Sequence, residues 1–326
     1  MWRKKAGNLT ADEWKSLLDK AIMDISLLLS RLIGDEIAHS LKRANIADKI
    51  AMKLAPNVVE KKIAPYISAV ILLAFVGKQA TEEGVSSLLT LINIMPEKRF
   101  LSFASSLDFS YKIPYAPSLY FLFVMGRDAT PENLAKTVES MGNKADIATA
   151  AEVISANDII MAEANSATAK PGATNMQTKL DEGIHKTASL IGKLMESELD
   201  RVMQYDEIAS NLDAVLPYVS TVGVLGFTGR DIKIEGVESF KKSMMELIAS
   251  AGVVPDEKIA DYVETKIGFG NFPFAYIPSL YFAVSNGLKP EIGNLLKVLD
   301  ALKIPADNAT AGFICSFYEE NKGYSD

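Results

Sequence analysis

The chain has 326 residues, enough for about two domains that each bury a core. Its net charge of -7 argues against nucleic acid as a partner, and one cysteine with two histidines excludes a disulfide framework and a histidine-rich zinc site. The longest apolar run, residues 67–76, is half a membrane span, and no apolar signal core follows the basic start of the chain. The sequence therefore predicts a cytoplasmic protein with no membrane span.

Four similar segments recur along the chain, each a tyrosine, a mostly apolar stretch and a glycine eleven residues after the tyrosine. They are Tyr66–Gly77, Tyr115–Gly126, Tyr218–Gly229 and Tyr276–Gly287. The second and fourth share five consecutive residues, at 117–121 and 278–282. Each segment predicts about three turns of a buried helix, which the glycine ends in a left-handed conformation.

Two further short helices are predicted after each of these segments. Thr81 and Thr130 are suited to cap the second helix, and Pro131 to be its first residue. A third helix opens near an acidic residue in every segment, as at Glu97 and Asp146. We therefore predict four copies of a three-helix unit, called copies 1 to 4, near residues 64–108, 113–158, 216–268 and 275–320.

A larger duplication is indicated by shifting the chain by 162 residues, which aligns Leu18 with Leu180 and Ile22 with Ile184. The sequence thus predicts two homologous halves, 1–162 and 178–326, each a leading helical region followed by two copies. Residues 163–177 read as the linker, because they are rich in small and polar residues and contain a Pro-Gly. No alternating stretch is long enough for a sheet, so the predicted fold class is all-α.

The copies resemble the N-terminal helical domain of the acidic ribosomal stalk proteins of archaea and eukaryotes. The resemblance lies in the aromatic-led apolar helix ending near glycine, the Thr-Pro start at 130–131, and the acidic start at 305–308. It implies a dimerisation module, and within one chain it implies that copy 1 pairs with copy 2 and copy 3 with copy 4. The stalk family's hinge and GTPase-contacting peptide have no counterpart at residues 317–326, so recruitment of GTPases is not implied.

No residue pattern points to catalysis, to a bound cofactor or to a metal. Cys315 lies in an apolar helical context, where a free cysteine is usually a small core residue. His39 and His185 occupy non-equivalent positions of the two halves, which favours surface or helix-edge roles. The glycines at 223–229 lie in a predicted helix and lack the strand that a phosphate loop requires.

Aromatic residues cluster before and within copies 2 and 4, and they are the candidate interface residues. Large rigid side chains of this kind are enriched at protein interfaces, but they can equally seal contacts between the helices of one half. The candidates are Phe109, Tyr111, Tyr120, Phe269, Phe272, Phe274 and Tyr281.

The first functional hypothesis is a non-enzymatic interaction or scaffold protein that forms a homo-oligomer, or binds one protein partner, through its helical copies. The second is a small-molecule-binding protein or enzyme with a pocket between the two halves, with Tyr120, Tyr281, Arg127 and Arg230 as supporting residues. The third, a ribosome-associated factor, rests on the resemblance to stalk proteins alone.

Overall fold

The computed structural model describes residues 10–43, 56–107, 111–165, 175–204, 212–227, 237–266 and 274–321. These residues form fourteen helices and no strand, which confirms the all-α prediction. The helices are α1 (Ala11–Arg43), α2 (Pro56–Phe75), α3 (Glu82–Leu91), α4 (Lys98–Ser105), α5 (Tyr115–Val124), α6 (Pro131–Ser140), α7 (Ile147–Asn165), α8 (Asn175–Met203), α9 (Leu212–Phe227), α10 (Val237–Ser250), α11 (Glu257–Lys266), α12 (Tyr276–Ser285), α13 (Ile292–Ala301) and α14 (Asn308–Asn321).

Three consecutive helices fall in each predicted copy, namely α2–α4, α5–α7, α9–α11 and α12–α14. The predicted caps are present, because the Thr81 hydroxyl accepts a hydrogen bond from the Gly84 amide and the Thr130 hydroxyl accepts one from the Asn133 amide. Of the predicted linker, residues 163–165 end α7 and 175–177 begin α8. The rest of the linker lies outside the described residues.

The tyrosine that opens each copy has a shared role that the sequence did not disclose. Its hydroxyl accepts a hydrogen bond, 2.5 to 3.0 Å long, from the backbone amide of the acidic residue that precedes the third helix. The first helix of each copy is thereby tied to the start of the third. The pairs are Tyr66–Glu97, Tyr115–Asp146, Tyr218–Asp256 and Tyr276–Asp307.

The carboxylates of Asp146, Asp256 and Asp307 complete the same helix starts, whereas that of Glu97 forms no cap hydrogen bond. Asp146 accepts from the Thr149 amide at 2.7 Å, and Asp307 accepts from the Thr310 amide at 2.8 Å. The hydrogen bond from Thr149 holds the pKa of Asp146 below its ordinary value. Tyrosine and acid together satisfy amides that a helix start would otherwise leave without partners.

Left-handed residues end the first two helices of the copies. Gly77, Gly126 and Gly287 have φ of 69°, 65° and 85°, as the sequence predicted, whereas Gly229 lies outside the described residues. After the second helix of copies 1 and 4 the left-handed residues are Asn93 and Lys303, with φ of 58° and 53°. An L residue with a Cβ is strained in this conformation, more so for lysine than for asparagine.

The copies pair differently from the expectation drawn from the stalk resemblance. Copy 2 contacts copy 3 through α5 with α9 and α6 with α10, and copy 1 contacts copy 4 through α2 with α12 and α3 with α13. The prediction that copy 1 pairs with copy 2, and copy 3 with copy 4, is therefore wrong. In each pair like helices meet, first with first and second with second.

Two compact units follow from this pairing. Unit 1 contains Met1–Leu28, Tyr111–Thr168 and Ala188–Phe274, and so holds copies 2 and 3. Unit 2 contains Leu29–Ser110, Ala169–Thr187 and Ala275–Asp326, and so holds copies 1 and 4. Each unit draws on both sequence halves. The units therefore do not coincide with the halves of the predicted duplication.

The long helices α1 and α8 each contribute a part to both units. In unit 1 the two helices touch at Ile22 and Gly192, where a Cβ on the glycine would lie 2.8 Å from Ile22 Cδ1. Lys15 and Asp200 form an ion pair in the same unit. In these two contacts the higher residue number on α1 goes with the lower number on α8, so the two helices run antiparallel there. None of the helices in the described ranges has the length and apolarity to cross a bilayer.

Candidate ligand cavity

Unit 2 contains a cavity of about 300 Å³ between α2 of copy 1 and α12 of copy 4, with the start of α8 as a third wall. An apolar cavity of about 150 Å³ is large enough to hold benzene. The space in unit 2 therefore suits a body of about ten to twelve carbon atoms, on the same scale. Its lining residues come from both sequence halves.

The walls of the unit 2 cavity are mostly apolar. Four lining positions are common to α2 and α12, namely two, five, six and nine after the opening tyrosine. This spacing places them on one face of each helix, and the two faces are turned to each other. The buried apolar lining residues are Ile67, Leu72, Phe75, Ile184 and Phe282.

One polar pair joins the two helices at the cavity. The Asn286 side-chain amide donates to the Ser68 hydroxyl at 3.2 Å and to the Phe282 carbonyl at 2.8 Å. The Thr187 hydroxyl, on α8, is engaged within its own helix by donating to the Gly183 carbonyl at 2.7 Å. None of the lining residues carries a charge. The cavity therefore offers no counter-ion to a charged group inside it.

Tyr281 of α12 is the largest polar side chain in the wall. Its ring meets that of Tyr318 edge to face, with 5.8 Å between the ring centres. Burial raises the pKa of Tyr281, so the hydroxyl keeps its proton at neutral pH. Within the described part of the chain, no group forms a hydrogen bond with this hydroxyl.

Unit 1 has a cavity at the corresponding place, but it measures only about 50 Å³. It lies between α5 and α9, against α1, and its walls again include positions two, five and six after the opening tyrosines. Met195 extends to the wall formed by α9, since a Cβ on Gly223 would lie 2.7 Å from its Cε. A shift of 162 residues aligns Gly183 of α8 with Ala21 of α1. Ala21 lines the unit 1 cavity as Gly183 lines that of unit 2.

Tyr120 in unit 1 occupies the position that Tyr281 occupies in unit 2, five residues after the opening tyrosine. It is 2% exposed, and its hydroxyl donates to the Asn157 side-chain oxygen at 2.9 Å. The position of Asn157 corresponds to that of Tyr318 in copy 4, because both lie 42 residues after the opening tyrosine. The protein itself thus supplies an acceptor in unit 1, where unit 2 has a second aromatic ring.

The aromatic interface candidates are distributed over three environments. Tyr120 and Phe274, at 2% and 9% exposed, are core residues of unit 1, and Phe274 packs its ring on Gly226. These two side chains therefore seal helix contacts and do not present a surface to a partner. Tyr111 is 42% exposed, and Tyr281 lines the cavity. Outside the described residues lie Phe109, Phe269 and Phe272.

The arginines that supported a ligand site do not line either cavity described above. Arg127 packs in unit 1 on Gly252, where a Cβ would lie 2.1 Å from one guanidinium nitrogen. Since Gly252 has a φ of 72°, both its conformation and this contact favour glycine. The other arginine, Arg230, lies outside the described residues.

The side chains considered for chemistry are separate from one another. Burial raises the pKa of the Cys315 thiol, which lowers its thiolate fraction and hence its reactivity. His39 is exposed and His185 is half-buried. Over the described ranges, no three His, Cys, Asp or Glu side chains are grouped so that they would bind a metal ion.

One acidic group in unit 1 is nonetheless strongly perturbed. Burial, followed by a hydrogen bond with Asp19, raises the pKa of Glu196 to about 7, and Lys15 opposes this shift. The group lies where α1 and α8 run side by side and where Lys15 also pairs with Asp200. Glu196 does not line either cavity.

The residues of the unit 2 cavity went unnoticed in the sequence, apart from Tyr281. Two signals pointed to them: the helix face formed by positions two, five, six and nine of each copy, and the 162-residue shift that aligns Ile22 with Ile184. Both isoleucines line cavities, one in each unit. The wrong pairing of copies prevented these positions from being brought together.

Comparisons with protein-family models, with curated proteins and with solved structures find no match.

Proposed function

We propose that this chain is a small-molecule-binding protein that takes an apolar molecule into the cavity of unit 2. Ligand sites are typically concave and largely apolar, with a few polar groups that orient the ligand, and they have volumes from about 300 Å³ upward. The cavity between α2 and α12 has this volume and this composition. The proposal covers binding and includes no chemical step.

The observation that carries the proposal is the contrast between the two units. The same helix faces meet in both, yet the space is about 50 Å³ in unit 1 and about 300 Å³ in unit 2. A methionine and a bonded tyrosine reduce the space in unit 1. The space in unit 2 is therefore large enough to take a small apolar molecule, and that in unit 1 is not.

Gly183 allows a sharp test, because a Cβ added to it meets no atom within 4 Å although the residue lines the cavity. A leucine at this position should extend into the cavity without displacing a neighbour. Gly293 provides the control, since it is an equally unobstructed helical glycine that does not line the cavity.

Equilibrium dialysis against 2-ethylnaphthalene measures binding to these variants. We expect one bound molecule per wild-type chain and per Gly293→Leu chain, and loss of binding in Gly183→Leu. No saturable binding to the wild type would overturn the proposal. Equal binding by Gly183→Leu and the wild type would place the site elsewhere and would also overturn it.

Self-assembly is the second candidate function, and an exposed aromatic pair favours it. Phe313 of α14 is 54% exposed, and its ring lies 6.0 Å from that of Phe317. Ile292 of α13 is also exposed and lies beside Gly312 of α14. A Cβ built on Gly312 would lie 3.4 Å from Ile292 Cδ1. Neighbouring exposed apolar side chains of this kind mark interaction surfaces.

Sedimentation velocity tests this second proposal. We expect Phe313→Ser to lower the assembled mass, and Met95→Ser, at a site that is 89% exposed in copy 1, to leave it unchanged. A wild-type chain that sediments as a monomer at all concentrations would remove this candidate.

A further inference from the structure

The hydroxyl of Tyr281 identifies the kind of ligand that the unit 2 cavity takes, and this inference rests on the proposed function. Tyr281 lines the cavity and is half-buried. No described group hydrogen-bonds to its hydroxyl. Because no described group uses this hydroxyl, it can form a hydrogen bond with an occupant of the cavity.

Unit 1 provides the internal comparison. There the corresponding hydroxyl, that of Tyr120, is satisfied by the Asn157 side-chain oxygen at 2.9 Å. In copy 4 the residue at the position of Asn157 is Tyr318, which contributes a ring edge to face with Tyr281. At this position unit 1 thus has a hydrogen-bond acceptor for the tyrosine, whereas unit 2 has an aromatic ring.

The protonation state of Tyr281 and the composition of the walls narrow the ligand further. Because burial raises the pKa of Tyr281, its hydroxyl is a hydrogen-bond donor at physiological pH. None of the lining residues carries a charge, so a carboxylate or ammonium group inside would lose its hydration without gaining an ion pair.

We infer that the ligand is a neutral molecule with an apolar body of about ten to twelve carbon atoms and one acceptor oxygen, which receives the hydrogen bond of the Tyr281 hydroxyl. Ketones, esters and ethers of this size belong to the class. The apolar body packs on the faces of α2 and α12. The acceptor oxygen accepts from Tyr281 in the way that the Asn157 side-chain oxygen accepts from Tyr120 in unit 1.

Three naphthalenes of similar shape separate the parts of this inference. They are 2-acetylnaphthalene, which is neutral and has a carbonyl acceptor, 2-ethylnaphthalene, which has none, and 2-naphthoate, which is charged. Equilibrium dialysis gives the affinity of each for the wild-type chain and for Tyr281→Phe. Tyr120→Phe is the matched control, because its hydroxyl belongs to the other cavity and is bonded to Asn157.

We expect Tyr281→Phe to weaken the binding of 2-acetylnaphthalene by about threefold to tenfold, the range of one neutral hydrogen bond, and to leave 2-ethylnaphthalene unchanged. Tyr120→Phe should change neither affinity. We also expect 2-naphthoate to bind the wild type at least tenfold more weakly than 2-acetylnaphthalene, roughly the effect of an unpaired charge.

Any other result contradicts a specific part of the inference about the ligand. If Tyr281→Phe leaves the binding of 2-acetylnaphthalene unchanged, or weakens both neutral probes equally, the tyrosine is not the donor, although the cavity still binds. If 2-naphthoate binds as tightly as 2-acetylnaphthalene, the ligand class is wrong. If neither neutral probe binds the wild-type chain, the proposed function itself fails.

Discussion

Replacing the tyrosine that opens a copy by phenylalanine should destabilise the protein, and α12 offers a matched pair of such changes. Tyr276 begins this helix, and its hydroxyl accepts the Asp307 amide hydrogen bond at 3.0 Å. Tyr281 follows five residues later, with a hydroxyl to which no described group bonds. Each substitution removes one oxygen atom from the same helix.

The expected magnitudes differ because only one of these oxygens has a protein partner. Tyr276→Phe leaves the Asp307 amide without its acceptor at a helix start, which costs about 1–3 kcal/mol of unfolding free energy. Tyr281→Phe removes a group without a protein partner, so its effect should stay within about 0.5 kcal/mol. Urea unfolding followed by circular dichroism, with no ligand added, measures both differences.

The reasoning would be refuted by equal losses in the two variants, or by a larger loss in Tyr281→Phe. Tyr115→Phe extends the test to copy 2, where the hydroxyl accepts the Asp146 amide hydrogen bond at 2.9 Å. It should resemble Tyr276→Phe, since the hydrogen bond that it removes is the same.

Three further predictions concern other parts of the chain. In thermal unfolding, Gly183→Leu should raise the ligand-free stability by about 1–2 kcal/mol, because leucine is a better helix former than glycine and has room beside it; a loss would show that the space is not free. Lys303→Gly should add about 1 kcal/mol to the free energy of unfolding in urea, since φ at this position is 53°, and a decrease would contradict the left-handed geometry. The pKa of Glu196 is raised to about 7, so between pH 4.5 and 7 the folded chain holds a proton there that the unfolded chain has released. The stability that this proton contributes is fully present below about pH 4.5 and is lost as the pH rises through 7. Relative to wild type, Glu196→Gln should therefore gain stability between pH 4.5 and 7.5 in unfolding measured across that range, and a constant difference would oppose the assignment.

Local features of the fold were predictable from the sequence. The threonine caps at 81 and 130 and the left-handed glycines 77, 126 and 287 depend on a few neighbouring residues and on backbone geometry. The role of the opening tyrosines was not predictable, because the hydroxyl and its amide partner are 31 or 38 residues apart.

The pairing of the copies could not be predicted from short stretches of sequence. Four first helices have similar apolar faces, and adjacency in sequence favoured pairing copy 1 with copy 2. In the structure α2 instead meets α12 and α5 meets α9. Packing of side chains far apart in sequence decides between such arrangements, and no spacing rule ranks them.

The cavity arises from that pairing, so a sequence analysis that paired the copies differently could not predict it. The contrast between a space of about 300 Å³ and one of about 50 Å³ depends on a few side chains brought together from both halves. Met195 in unit 1 and Gly183 in unit 2 are examples, because each acts on the space through its size. Among the aromatic residues predicted for an interface, Tyr281 lines this cavity.

The location of a bound probe tests the central claim most directly. In protein labelled at its isoleucine methyl groups, intermolecular nuclear Overhauser effects to 2-acetylnaphthalene should come from Ile67, Ile71 and Ile184, which line the unit 2 cavity. Ile22 and Ile25, which line the small cavity of unit 1, should give none. Contacts confined to Ile22 and Ile25, or none to any of these isoleucines, would contradict the account.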